Sequence, residues 1–306
     1  MARSIRIEFP GAIYHVMSRG DRREAIFLDE ADRELFLSGL KQVQEKTGWL
    51  IHAYCLMGNH FHLVVETPEA NLVAGMKWLL GVYTNRFNHK HRLVGHVFAG
   101  RYKALVVSPE SDYFQQVCDY VHLNPDRAKL LKRGQMLSCY KWSSWSAYLS
   151  RKRPTWLAVQ RLFLTTGMPD TLAGRKHMGE RLEALRGKTL EAEKQLTRGW
   201  QVGDDLHRQQ LLQQIEGKTR KAHPSLHRQH DVQAQAEAIV SEEIKKRRWT
   251  SEELVSRRKS DKDKIKVAQR LRRETTVTVS WIAQRLQMGT ANSLSTVLSK
   301  IKKSRN

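Results

Sequence analysis

Short apolar, β-prone runs recur in the first half of the chain. They predict strands over Ala12 to Ser18, Trp49 to Met57, His60 to Glu66 and Ala104 to Val107. Between them, apolar positions at helical spacing predict helices over Asp29 to Lys46, Asn71 to His89 and Pro109 to Leu123. The last of these carries punctuation at both ends. Ser108 suits a cap and Pro109 the first helical position, while the residue before Pro125 is pushed out of the α region, so the helix should stop at Asn124. The short turn Gly58-Asn59 between two strands suggests an antiparallel hairpin. Interleaved strands and helices make this half α+β, and periodicity alone does not select a topology.

After about Ser150 the pattern becomes mostly helical. Arg151-Lys152-Arg153-Pro154 reads as a linker, and Gly199-Trp200-Gln201-Val202-Gly203 reads as packing or spacing. The His-rich run His223 to His230 reads as a flexible solvated linker. Near the end, Lys264 to Arg273, Val279 to Leu286 and Ser293 to Lys300 form three short helices, with a turn at Gln287 to Thr290, and this is helix-turn-helix spacing. Ile282, Ala283 and Leu286 should face a core with Leu294, Val297 and Leu298. Asn292, Ser293, Ser295, Thr296 and Lys300 are left free to meet DNA. A module that packs only on protein is the alternative. The resulting division is residues 1–150, a helical connection over 151–235, and an all-α module over 236–306.

Charge sharpens the picture. The chain has 53 Lys+Arg against 31 Asp+Glu, a net +22, which points to a nucleic-acid partner. Residues 1–150 hold 19 basic and 14 acidic side chains, whereas residues 151–306 hold 34 and 17, so most of the attraction lies outside the first half. No long apolar segment, signal-peptide pattern or lipidation motif supports a membrane role. Three cysteines without a Cys-x-x-Cys support neither a disulfide framework nor a zinc ribbon, and a reducing cytoplasm fits.

Two clusters carry candidate chemistry. In His60-Phe61-His62 the period of a strand points both imidazoles to one side, where they could share a cation, although surface or satisfied core histidines give the same pattern. In Cys118 to Pro125, helical spacing places Tyr113, Gln116, Tyr120 and Asn124 on one face, so a phenol and an amide could meet one site. A buried tyrosine with a satisfied hydroxyl is the alternative. His122 is rotated about 200° from Tyr120 and reads as structural. Arg19 ends the first strand beside the loop Arg19 to Arg23. Arg101 and Lys103 alternate on what looks like a strand, offering two cations to phosphates. His15 lies on the first strand without an assigned role, and His89, His91 and His96 read as a solvated loop. Trp78, Tyr83, Tyr102 and Trp142 are candidate platforms for stacking bases, or core.

Taken together, these residues resemble the HUH single-strand DNA nucleases, and more narrowly the REP-associated tyrosine transposases. The resemblance rests on Tyr14 to Gly20, Ile26 to Asp29, His60-Phe61-His62, Gly100 to Lys103, Tyr120 to Ala128 and Trp142-Ser143-Ser144. Gly58 departs from it, since family members usually have proline there, but no chemical position departs. The C-terminal unit looks like the helix-turn-helix of the bacterial replication initiator.

The resemblance implies a ferredoxin-like antiparallel sheet backed by helices. It also implies Tyr120 as nucleophile, a divalent ion held by His60, His62 and the oxygen of Asn124, and a 5′-phosphotyrosine product. Oxygen and imidazole ligands suit Mg²⁺ or Mn²⁺. The implied partner is single-stranded or hairpin DNA, with duplex contact through the C-terminal unit, in a bacterial cytoplasm; monomer and homodimer stay open. An idle DNA-binding regulator and a zinc hydrolase on the same histidines are the competing readings.

Overall fold

Strands and helices alternate as β1 (Ala12–Arg19), α1 (Glu30–Thr47), β2 (Leu50–Leu56), β3 (His60–Thr67), α2 (Leu72–His91), β4 (Lys103–Val107) and α3 (Ser111–Arg127). The computed structural model describes the backbone of residues 7–219 and 224–303, and the side chains of these except at 111, 197–198, 214–219, 224–232, 251 and 300–303. The sheet runs β2-β3-β1-β4, every neighbour antiparallel, which is the ferredoxin-like order. Its two faces are covered differently. Phe61 points to the side where Phe36 of α1 and Tyr83 of α2 pack, with ring centroids 4.7 and 5.2 Å apart in the pairs Phe36–Phe61 and Phe36–Tyr83. His60 and His62, one residue to either side, therefore face the opposite layer, where α3 lies.

Local chemistry fixes the ends of these elements. Asp29 caps α1 by accepting from the Asp32 N–H, and Asp32 reciprocates, while Gly48 ends the helix at φ 69°. Trp49 follows and is fully buried, its indole N–H donating to Asn71 at 2.7 Å. Gly75 of α2 passes so close to that ring that a methyl group there would sit 2.0 Å from Trp49 Cζ2. Alanine is ordinarily the better helix former, but here the anchored indole cannot retreat. We expect Gly75→Ala to destabilise the protein by about 1–3 kcal/mol, read as a lower urea midpoint. An unchanged or raised midpoint would mean that the indole moves freely.

The predicted stop of α3 at Asn124 is not observed, because Pro125 lies inside the helix, which runs on to Arg127. The termination comes from Lys129, left-handed at φ 55°. Its N–H donates to Asp126 and that of Leu130 to Pro125, a Schellman pattern with lysine where glycine is usual. Proline has no N–H to give the Val121 carbonyl one turn back, yet the helix continues through it to Arg127.

The connecting region is more than helical. After α4 (Trp145–Tyr148), α5 (Gln160–Thr165), α6 (Leu172–Glu183) and α7 (Glu193–Arg198), the pair Gln201–Val202 forms β5, parallel to β4 at the sheet edge. The segment read as spacing therefore makes the sheet mixed and five-stranded. One hydrophobic cluster runs from Ala12 to Leu211.

The rest is helical: α8 (Asp205–Thr219), α9 (Pro224–Arg247), α10 (Ser251–Ser256), α11 (Lys262–Glu274), α12 (Val279–Arg285) and α13 (Ala291–Lys303). Residues 224–230, expected as a linker, lie in α9, and His223 is outside the described residues. A second cluster runs from Ala236 to Leu294 and includes Ile282, Ala283 and Leu286, with Leu298 packed against it. Lys46 of α1 reaches the end of α11. Its ammonium donates to the carbonyls of Arg272, Arg273 and Thr275, the acceptors a helix C-terminus leaves open. Among the described residues no helix is long and apolar enough to cross a membrane.

Candidate active site

Strand register assembles the first half of the site. Met17 stands opposite His62, and His62 opposite Cys55, while Arg19 stands opposite His60. Opposed residues share a face, so His15, two before Met17, joins His60 and His62 beneath α3. His15 Nε2 is 2.9 Å from His62 Nδ1, with ring planes 1° apart. The rings of His60 and His62 lie 5.1 Å apart, and His60 Nδ1 is 2.7 Å from Asn59 Oδ1.

Helix α3 supplies the other half. The Tyr120 ring stands edge-on to His62 at 5.8 Å and to His15 at 5.9 Å. Asn124 follows one turn later, its amide nitrogen engaged by the Tyr120 carbonyl, which leaves Oδ1 as the atom it can offer a cation. Arg127 completes the face with its guanidinium 5.0 Å from the centre of the Tyr120 ring, held by Glu193 of α7 at 2.6 Å. Gln116, on the same face, accepts from the Ala192 N–H at 2.9 Å, so the start of α7 is tied to α3 beside the phenol. His122 points away, bonded to Ser144 at 2.8 Å and packed on Trp145 and Tyr148.

Burial sets the charge states. Desolvation, with Arg19 adding to it, lowers His60 to about 4, and desolvation lowers His62 well below its ordinary value. His15 falls to about 3 for the same reason, with Lys103 adding. All three rings are then neutral near pH 7, the form that ligates a metal. Burial raises the Tyr120 phenol above its usual range; Arg127 opposes this and Glu193 adds to it. Two neutral imidazoles and a carboxamide oxygen are a donor set that fits a divalent metal ion.

A second group of ligand-type side chains, Asp29, Asp32 and His91, also comes together. The Lys90 ammonium already sits there, 2.6 Å from Asp29 and 2.7 Å from Asp32, and His91 bonds to Asp32 at 2.9 Å. These are ion pairs and hydrogen bonds gathered around a helix cap. His89 and His91 thus belong to α2, and only His96 lies in the loop.

The proposed DNA contacts are scattered. Arg19 is exposed beside His60. Arg101 is exposed but precedes β4, which begins at the half-buried Lys103, so the two do not alternate along one strand. Asn292, Ser293, Ser295 and Thr296 are exposed on α13, whereas the Lys300 side chain is outside the described ones. Tyr83, Tyr102 and Trp142 are buried and Trp78 half-buried, which makes them poor stacking platforms.

Spacing assigned no role to three residues of this cluster, although His15 and Arg127 lie inside blocks that carry the resemblance. The place of His15 beside His62 comes from the register of β1 against β3. Arg127 lies seven residues after Tyr120, two helical turns, but a helix ending at Asn124 excludes it. Glu193 comes from a distant segment.

Residues 9–124 match the family model described as IS200-like transposase. A solved structure of a REP-associated tyrosine transposase bound to a REP hairpin aligns with a TM-score of 0.42 at 16% identity, covering 49% of this chain and 87% of that one. No curated protein matches the chain.

Proposed function

We propose that the protein, whose residues 9–124 match the IS200-like transposase model, cleaves and rejoins single-stranded DNA through Tyr120. The observation that carries this reading is the meeting of Tyr120 with His62 at 5.8 Å within one chain. It favours a site complete in a single subunit.

His60, His62 and Asn124 would hold the ion. A divalent ion there supplies Lewis-acid polarisation of a non-bridging phosphate oxygen. The remaining work falls to the chain's own groups. Tyr120 presents its oxygen to phosphorus; as the Oη–P bond forms, the P–O3′ bond breaks, the phenol gives up its proton and the departing 3′ oxygen takes one. The products are a 5′-phosphotyrosine and a 3′-hydroxyl, and attack by another 3′-hydroxyl reverses the step without ATP. Arg127 over the phenol face favours the phenolate that develops. The hydrogen bond from Asn124 to the Tyr120 carbonyl ties the amide to the turn that carries the nucleophile.

Hairpins of REP type are the substrate that the family resemblance implies, and α13, with its exposed Asn292, Ser293, Ser295 and Thr296, is the part we assign to duplex contact. Arg19, Arg101 and Lys103 are assigned to phosphates near the site. In this reading residues 1–150 carry the chemistry, 151–235 are a connection that shares their core, and 236–306 are the DNA-binding module.

The test uses the full chain with a labelled single-stranded hairpin and Mn²⁺ or Mg²⁺. We expect a protein–DNA adduct that survives denaturation and disappears with chelator. Hairpin binding without an adduct under either ion would leave a DNA-binding regulator instead.

A further inference from the structure

We propose that His15 and Asn59 are positioning residues that hold the Nδ1 atoms of His62 and His60, so that both Nε2 lone pairs are presented to the divalent ion. The inference rests on the reading of His60 and His62 as its ligands.

A neutral imidazole has one N–H and one lone pair, and the partner of one nitrogen decides what the other can do. For His60 the choice is forced. Asn59 Nδ2 donates to the Arg23 carbonyl at 3.1 Å, which orients the amide so that Oδ1 faces His60 Nδ1 at 2.7 Å. A carbonyl oxygen only accepts, so the proton sits on Nδ1 and Nε2 is bare.

For His62 the partner is another imidazole. His15 Nε2 and His62 Nδ1 are 2.9 Å apart in parallel rings, and one proton lies between them. If His15 donates it, His62 must carry its own proton on Nε2 and turns an N–H toward the ion. If His62 donates it, Nε2 is free. A cation at Nε2 selects the second arrangement, which places the His15 proton on Nδ1. That atom is buried without a hydrogen-bond partner among the described residues. His15 is almost wholly buried against His62, which keeps its Nε2 in place as the acceptor.

Metal-bound histidines commonly lean on carboxylates. Here both partners are uncharged, and the ion's full positive charge is kept for an anionic phosphate. That choice suits a site whose task is to bind a phosphodiester.

Titrating full-length protein with Mn²⁺, with free ion followed by electron paramagnetic resonance, tests this without any turnover. His15→Leu and Asn59→Ala should each weaken binding by about 10–100-fold. His15→Gln and Asn59→Asp, which keep an acceptor, should recover most of it. Adduct formation by His15→Leu should return at saturating Mn²⁺, a recovery that mere misfolding would not allow.

Unchanged Mn²⁺ affinity in both His15→Leu and Asn59→Ala overturns the positioning role alone. Absence of binding in the unsubstituted protein, or binding indifferent to His60→Ala, overturns the metal reading as well. Should His15→Leu fail to fold, ¹⁵N-histidine spectra of the unsubstituted protein with Mg²⁺ decide the matter. Protonated Nδ1 on His60 and His62 supports the proposal, and protonated Nε2 on either refutes it.

Discussion

Tyr120→Phe should abolish the denaturation-resistant adduct, by at least about 10³-fold, while hairpin binding stays unchanged. The reasoning separates the oxygen from the ring. The ring packs edge-on against His15 and His62 with Arg127 on its face, and phenylalanine keeps all of those contacts. What disappears is the atom that attacks phosphorus. Because burial holds the phenol protonated beyond its ordinary range, the adduct rate should also climb with pH. Below the raised pKa, each unit increases the phenolate fraction roughly tenfold. Gel quantification of the adduct between pH 6 and 9, with binding followed by anisotropy, checks both statements. An adduct that persists in Tyr120→Phe means that another nucleophile does the chemistry, and a zinc-type hydrolysis by water predicts cleavage without any adduct.

The strand-and-helix order of the first half was legible because its apolar runs are short and separated by punctuating residues such as Asp29, Gly48 and Gly58. So was the shared face of His60 and His62, since a strand's period needs no tertiary information. Other features depended on contacts between distant segments. Two residues, Gln201 and Val202, are too few to show a period, and only the open edge of β4 makes them a strand. His15 became part of the site through register, which pairs residues about fifty positions apart.

The end of α3 failed for a local reason. A preference of the residue before proline was outweighed by a helix that runs on to the left-handed Lys129, and the place of Arg127 was lost with that stop. The aromatic candidates failed for a general one: composition marks a tryptophan or tyrosine as available for stacking, but burial in this core had already claimed them.

Substitution of the paired histidines has the second largest expected effect, and the two positions do not behave alike. His62 is almost wholly buried and bonded to His15, so His62→Ala removes packing together with a ligand. We expect about 2–3 kcal/mol of lost stability there. His60 is half-buried at the end of β3, with Asn59 as its bonded neighbour, and His60→Ala should leave the fold within about 1 kcal/mol of the parent.

Both substitutions should reduce adduct formation by about 10²–10⁴-fold in Mg²⁺, the scale on which removal of an electrostatic stabiliser acts. The comparison at His60 is the decisive one, because folding cannot account for its loss. Binding to the hairpin in chelator should be the same for His60→Ala and the parent, since the ion is absent from both. If His60→Ala forms adduct at the parental rate with its urea midpoint unchanged, the imidazole pair is not the metal site. The histidines of β3 would then be packing residues beneath a tyrosine activated in some other way.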